Sequence, residues 1–141
     1  CGPGLMNGLA NLHNARRART PVVNLVGDQA HHHRPLDAPL TADTEALART
    51  VSAWVRTSAA AHAVGADAAQ AVAAAMSAPG HVTSLVLPSD VCWNAGGVVG
   101  TPRPPSGPQP VDPGAVEAAA RLLERGEPTL VSYGPQRWAR V

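Results

Sequence analysis

The chain has 141 residues, 45% hydrophobic and 15% charged, with 11 basic side chains against 10 acidic ones and a net charge of +1. This length accommodates one domain, or one domain and the start of another, and the composition is that of a globular chain. The near-neutral balance and the arginines without interleaved aromatics argue against nucleic-acid binding, and no apolar run reaches the roughly 18 residues of a membrane span.

With no Phe, one Tyr and three Trp, the core must rest on Val, Leu and Ala. Cys1 and Cys92 form no metal-like or paired pattern, which reads as a reduced, cytoplasmic chain without a disulfide. No signal peptide is visible and no internal repeat is found.

The first element is a helix from Gly2. Pro3 suits a first helical position, where its missing N–H would have no partner, and Gly2 and Gly4 allow close approach of a backbone or a planar ring. Leu5, Leu9 and Leu12 recur at i, i+4, i+7 as a buried stripe, while Asn7, Asn11 and Asn14 occupy another face. Arg16, Arg17 and Arg19 fall at the helix end, and Pro21 stops it before a buried strand at Val22–Val26. A polar loop follows, Asp28-Gln29-Ala30-His31-His32-His33-Arg34-Pro35 and on to Thr41. In an open parallel sheet, loops at the carboxyl ends of strands are where ligands bind.

Asp43 and its neighbours cap a short helix through about Arg49. Val51, Ala53 and Val55 alternate with polar neighbours as a half-buried strand or edge segment. Asp67 opens an alanine-rich helix, Ala68 to Ser77, with Val72 and Met76 on one face, and Gly80 ends it. Val82 to Leu87 is a buried strand closed by Pro88. Residues 94–111, rich in Pro and Gly, read as an extended linker. Asp112-Pro113 then starts a helix with a buried stripe of Val116, Ala120 and Leu123 and an i,i+4 pair, Glu117 and Arg121, ending at Gly126 before a strand at Thr129–Ser132.

In sum, a Gly-Pro-Gly-x-x-Asn helix, a Thr20-Pro21-Val22-Val23 strand, a Gly27-Asp28-Gln29 turn and a Ser84-Leu85-Val86-Leu87-Pro88-Ser89-Asp90 strand end follow in order. The pattern resembles the pyrimidine-binding domain of thiamin diphosphate enzymes of the acetohydroxyacid (acetolactate) synthase, pyruvate oxidase and benzoylformate decarboxylase family. The resemblance implies an α/β fold, a parallel sheet flanked by helices. It also implies a division into residues 1–93, the pyrimidine-binding domain lacking its first strand, a linker at 94–111, and 112–141, the start of a central domain.

By the same resemblance, the cofactor-binding residues are Gly2, Pro3, Gly4, Asn7 and Gln29, beside the aminopyrimidine ring of thiamin diphosphate. No residue of the chain is assigned a catalytic role and none a metal. The glutamate that protonates the pyrimidine in the family stands on a strand before the Gly-Pro-Gly helix, and the Gly-Asp-Gly…Asn motif for magnesium and diphosphate stands far downstream. Both are expected outside this chain. FAD, bound by the central domain of some relatives, is not claimed, because Ser132-Tyr133-Gly134-Pro135 has one glycine where relatives often have a pair.

The activity implied is making or breaking a carbon–carbon bond on a 2-keto acid, acetolactate synthase-like, in a homodimer or homotetramer. The alternatives are a benzoylformate- or oxalyl-type decarboxylase of the same family and a non-catalytic α/β scaffold. His31, His32 and His33 read as a surface tract or a site-lining loop: consecutive side chains diverge, and no carboxylate or cysteine stands at ligand spacing. His13, His62 and His81 read as surface or capping residues, and Trp54 and Trp93 as packing anchors.

Overall fold

The computed structural model of the chain describes residues 1–130. Three parallel strands, β1 (Val22–Asp28), β2 (Trp54–Thr57) and β3 (Val82–Pro88), form a sheet in the order β1-β3-β2. Val22 pairs with Val82 and Asp28 with Pro88 along one side of β3, while Trp54 to Thr57 run beside Thr83 to Val86 on the other. β3 is therefore central and carries the core, with Val82, Leu85 and Val86 each 1% exposed or less. A strand covered on both faces buries both sets of its alternating side chains, and Thr83 and Ser84 are buried along with the apolar residues.

Helix α1 (Gly2–Arg17) and helix α2 (Thr44–Arg49) pack on one face. There Leu5, Val26, Ala48 and Val86 form a cluster, with Leu9, Leu12, Leu47 and Val55 packed against it. The leucine stripe of α1 is thus seated as its spacing predicts. Asp43 caps α2, its carboxylate accepting from the Ala46 N–H at 2.9 Å. Helix α3 (Val64–Met76) covers the opposite face, where Thr83 Oγ1 of β3 donates to the Ala71 carbonyl at 3.2 Å.

Several expectations are corrected by this arrangement. β1 is not fully buried: it lies at the sheet edge, and Val23 and Leu25, on the α3 side, are exposed. α3 begins at Val64, ahead of Asp67, and its buried side is Asp67, Ala71 and Ala75, leaving Val72 and Met76 in solvent. The alanines let the helix approach the sheet closely, and Asp67 makes tertiary bonds instead of capping. It accepts from Ser58 Oγ and pairs with Arg56, both at 2.8 Å. Trp93 ends the short helix α4 (Ser89–Trp93) and is 79% exposed, so it anchors nothing, whereas half-buried Trp54 lies under the Arg56 guanidinium.

Residues after Asn94 run without regular structure to Asp112. They are nonetheless tacked to α3: Ser106 exchanges backbone bonds with Ala78 and the Ser77 hydroxyl, and the segment at Val98–Gly100 lies against Gly65, where any Cβ would collide. Helix α5 (Pro113–Glu124) forms with its Asp112 cap and its Glu117–Arg121 pair, but Val116 and Leu123 are exposed and the helix buries no residue. The anticipated stripe has no partner among the described residues. Thr129 and Leu130 are irregular, and the remainder of the expected strand, with Ser132 to Pro135, lies outside the described residues.

Candidate functional site

Parallel strands all point their carboxyl ends the same way, so the loops after β1 and β3 meet at one end of the sheet. The amino end of α1 lies there too, because the Cys1 amino group donates to the Gly27 carbonyl at the end of β1. This brings the first turn of α1 and the residues around Gln29 to one edge of the molecule.

The five sequence-predicted residues differ in surroundings. Gly2 is buried, and a Cβ there would collide with Ala42, so its glycine is explained by helix packing alone. Pro3 is exposed at the helix start. Gly4 is exposed, and a Cβ added to it would meet nothing within 4 Å. Asn7 is exposed on the same face, one turn on, and its side chain has no hydrogen-bond partner among the described residues. Gln29 is half-buried, its Nε2 donating to the Pro39 carbonyl at 2.8 Å, which ties the loop to itself. Gly4 and Asn7 therefore share an open face of the helix, and Gly4, with Cys1, Leu5 and Gly27, lines a shallow cavity of about 250 Å³ at the end of β1.

Beside it the structure adds a polar cluster that the sequence reading did not assemble. Asp28, the last residue of β1, is buried; its Oδ1 accepts from the Gln29 N–H at 2.9 Å. Its Oδ2 is buried without a hydrogen bond among the described residues, and Arg34 Nε, from the short 3-10 turn Arg34–Leu36, stands 3.9 Å away. His31 reaches across to the first turn of α4, where its N–H and its Nδ1 both engage the Asp90 carboxylate at 3.0–3.2 Å. The hydrogen bonding by His31 holds the Asp90 carboxyl below its ordinary range. The histidine tract thus divides: His31 pins the loop, while His32 and His33 stack edge to face on the surface. No group of three metal-ligating side chains is found among the described residues. The sequence signal for Asp90 was the Pro-Ser-Asp end of a buried strand, where a side chain at a sheet's carboxyl edge can face the neighbouring loop.

No protein-family model matches the chain. Over 135 residues it is 51% identical to a Mycobacterium tuberculosis H37Rv protein described as a candidate acetolactate synthase large subunit, IlvX, a match that takes in 94% of the chain. A crystal structure of benzoylformate decarboxylase from Polynucleobacter necessarius superposes with a TM-score of 0.73 at 28% identity, over 86% of the chain. Both relatives are members of the thiamin diphosphate-dependent family, and the chain is similar to a part of each. It spans about a quarter of each of these relatives, 25% of the mycobacterial protein and 23% of the decarboxylase. The α/β fold expected from the sequence, a parallel sheet flanked by helices, is the fold shared with the decarboxylase.

Proposed function

We propose that this chain supplies the pyrimidine side of a thiamin diphosphate site in a protein that makes or breaks a carbon–carbon bond on a 2-keto acid, acetolactate synthase-like. The observation that carries this reading is the 51% identity to the mycobacterial acetolactate synthase-like protein across 94% of the chain. The geometry is consistent with it. Gly4 has no packing reason to be glycine among the described residues, and a flat ring laid against that face would give it one.

In this reading Gly4 leaves backbone accessible to the ring, Asn7 offers an amide one turn further along, and Gly2 and Pro3 set the angle at which the helix meets the end of β1. Gln29, held by Pro39, shapes the loop that closes over the edge and excludes water. The bound cofactor would supply the electron sink for the carbon–carbon step. The residues of this chain would orient its ring and take no covalent part. Magnesium and the diphosphate would be held elsewhere in the protein, and FAD is not required by anything in the site. A homodimeric or homotetrameric, cytoplasmic enzyme of branched-chain amino-acid biosynthesis is the setting that fits an acetolactate synthase. No helix among the described residues is long and apolar enough to cross a membrane.

Within the chain we place a boundary at 94–111, between residues 1–93 and a following unit that starts at 112. Limited proteolysis should cut first in 94–111, where the backbone is largely unpaired. Within that stretch, cuts should avoid 98–100 and 106, which lie against α3. Primary cleavage between Val64 and Pro88 would overturn the boundary.

The function is tested by grafting residues 1–130 into the corresponding quarter of the mycobacterial relative and assaying pyruvate consumption and acetolactate formation with thiamin diphosphate and magnesium. Cofactor-dependent acetolactate formation comparable to the ungrafted protein is expected. A graft that folds and binds the cofactor but turns over benzoylformate in place of pyruvate would favour the decarboxylase reading instead, which the structural match to benzoylformate decarboxylase supports.

A further inference from the structure

At the opposite end of the sheet, where β2 and β3 begin, a cleft of about 490 Å³ opens between the end of α1, the last turn of α2 and the start of β3. Its size is that of a small-molecule site. Arg16, Arg17 and Arg19 line it from one side, Arg49 from another, and His81 stands beside them, while no carboxylate lines it.

Two of these arginines are engaged. Arg49 is ion-paired with Glu45, and Arg16 donates to the Thr50 carbonyl at 3.3 Å. The side chains of Arg17 and Arg19 have no hydrogen-bond or ion-pair partner among the described residues. In a chain of net charge +1, four guanidinium groups around one cleft are a local concentration of charge and not a reflection of the whole. The backbone beneath them is also constrained. Arg19 sits in the left-handed region at φ 51°, and its carbonyl lies so close to Gly80, itself at φ 106°, that a Cβ on Gly80 would collide with it. A non-glycine residue at positive φ is uncommon, and here it falls on an arginine that lines the cleft.

We propose that this cleft binds a multiply charged phosphate compound, a diphosphate or a phosphate ester, at a site separate from the edge that holds Gly4 and Asn7. Planar guanidinium groups match tetrahedral phosphate oxygens with paired hydrogen bonds, and several converging on one cleft favour a ligand with two or more negative charges. The mostly polar walls and the absence of a lining carboxylate suit such a ligand, and they would repel none of its charge.

The test is isothermal titration of the full chain with inorganic pyrophosphate, without magnesium, at low ionic strength. Saturable binding with one site per chain is expected, weakening steeply as salt is raised, because the contacts are charged and partly exposed. Arg17→Gln combined with Arg19→Asn should weaken it by about tenfold or more with an unchanged circular dichroism spectrum, since neither side chain makes a bond within the described residues and Asn accepts a left-handed backbone. Arg17→Gln alone, on the exposed helix surface, should weaken it by a smaller factor. Arg121→Gln on α5 and Gly4→Val at the other end of the sheet should leave it unchanged, and the Gly4 variant separates this site from the proposed thiamin site. No saturable pyrophosphate binding, binding of citrate as tight as that of pyrophosphate, or a double variant that binds like the wild-type chain would each overturn the proposal.

Discussion

Helices α3 and α5 are both alanine-rich and both amphipathic, yet one is a structural wall and the other buries nothing. α3 sets Asp67, Ala71 and Ala75 against the sheet and lets Val72 and Met76 face solvent. α5 segregates Val116, Ala120 and Leu123 more cleanly onto one face, and that face meets no other element among the described residues. A sequence pattern therefore tells which face of a helix could be buried but not whether the partner surface lies in the same stretch of chain. Small residues can be the buried ones when a close approach to a strand decides the packing, because the helix gains more from proximity to β3 than from the bulk of its own side chains.

The sharpest way to break this comparison is to remove bulk at each place. Leu85→Ala in β3, where the side chain is 1% exposed, should cost about 2–5 kcal/mol of unfolding free energy by urea titration. A smaller effect, about 1 kcal/mol, is expected from Thr57→Val, which removes the hydroxyl that donates to Glu45 beneath α2. That hydrogen bond is the main reason the Glu45 carboxyl sits below its ordinary range, with Arg49 adding to it. A depressed carboxylate contributes stability above its unfolded pKa, about 4.3, and loses it as pH falls through the lower folded value. The difference between wild type and Thr57→Val should accordingly be full at pH 7 and disappear in acid; a difference that grows as pH falls would contradict the assignment. At the small end, Leu123→Ala in α5 should change stability by no more than about 0.5 kcal/mol, although the residue type and the helical pattern match those of a core position. A loss of 2 kcal/mol there would mean that α5 is seated on a surface after all.

Much of the fold was legible in the sequence for reasons that are physical and local. The leucine spacing of α1, the Asp43 cap of α2, the apolar run of β3 and the Asp112-Pro113 start of α5 are each short-range signals, and each element formed where it was expected. What failed was long-range. The exposure of Val23 and Leu25 follows from β1 being an edge strand, a matter of strand order that no local pattern encodes. Asp67 looked like a helix cap because its partners, Arg56 and Ser58, belong to another element. Trp93 looked like an anchor because aromatic bulk is usually buried, but it ends a one-turn helix whose only buried residue is Val91.

The site divides in the same way. Gly2, Pro3, Gly4 and Asn7 were picked out as a group because they lie close together on one helix, and the structure adds a distinction among them: Gly2 is required by Ala42, whereas Gly4 is not required by anything among the described residues. The His31–Asp90 contact and the buried Asp28 oxygen were not legible, since they join loops 59 residues apart or depend on what surrounds a carboxylate at a strand end.

The proposed thiamin site turns on Gly4 facing a cofactor ring. The direct measurement is the thiamin diphosphate dissociation constant, by isothermal titration with magnesium, of the mycobacterial relative carrying residues 1–130 of this chain, with and without Gly4→Val. Because a Cβ at Gly4 meets nothing within 4 Å among the described residues, the variant should keep the fold and its circular dichroism spectrum while binding the cofactor at least about tenfold more weakly, a difference of roughly 1.4 kcal/mol. Equal affinity in the two proteins would contradict the placement of the ring against this helix.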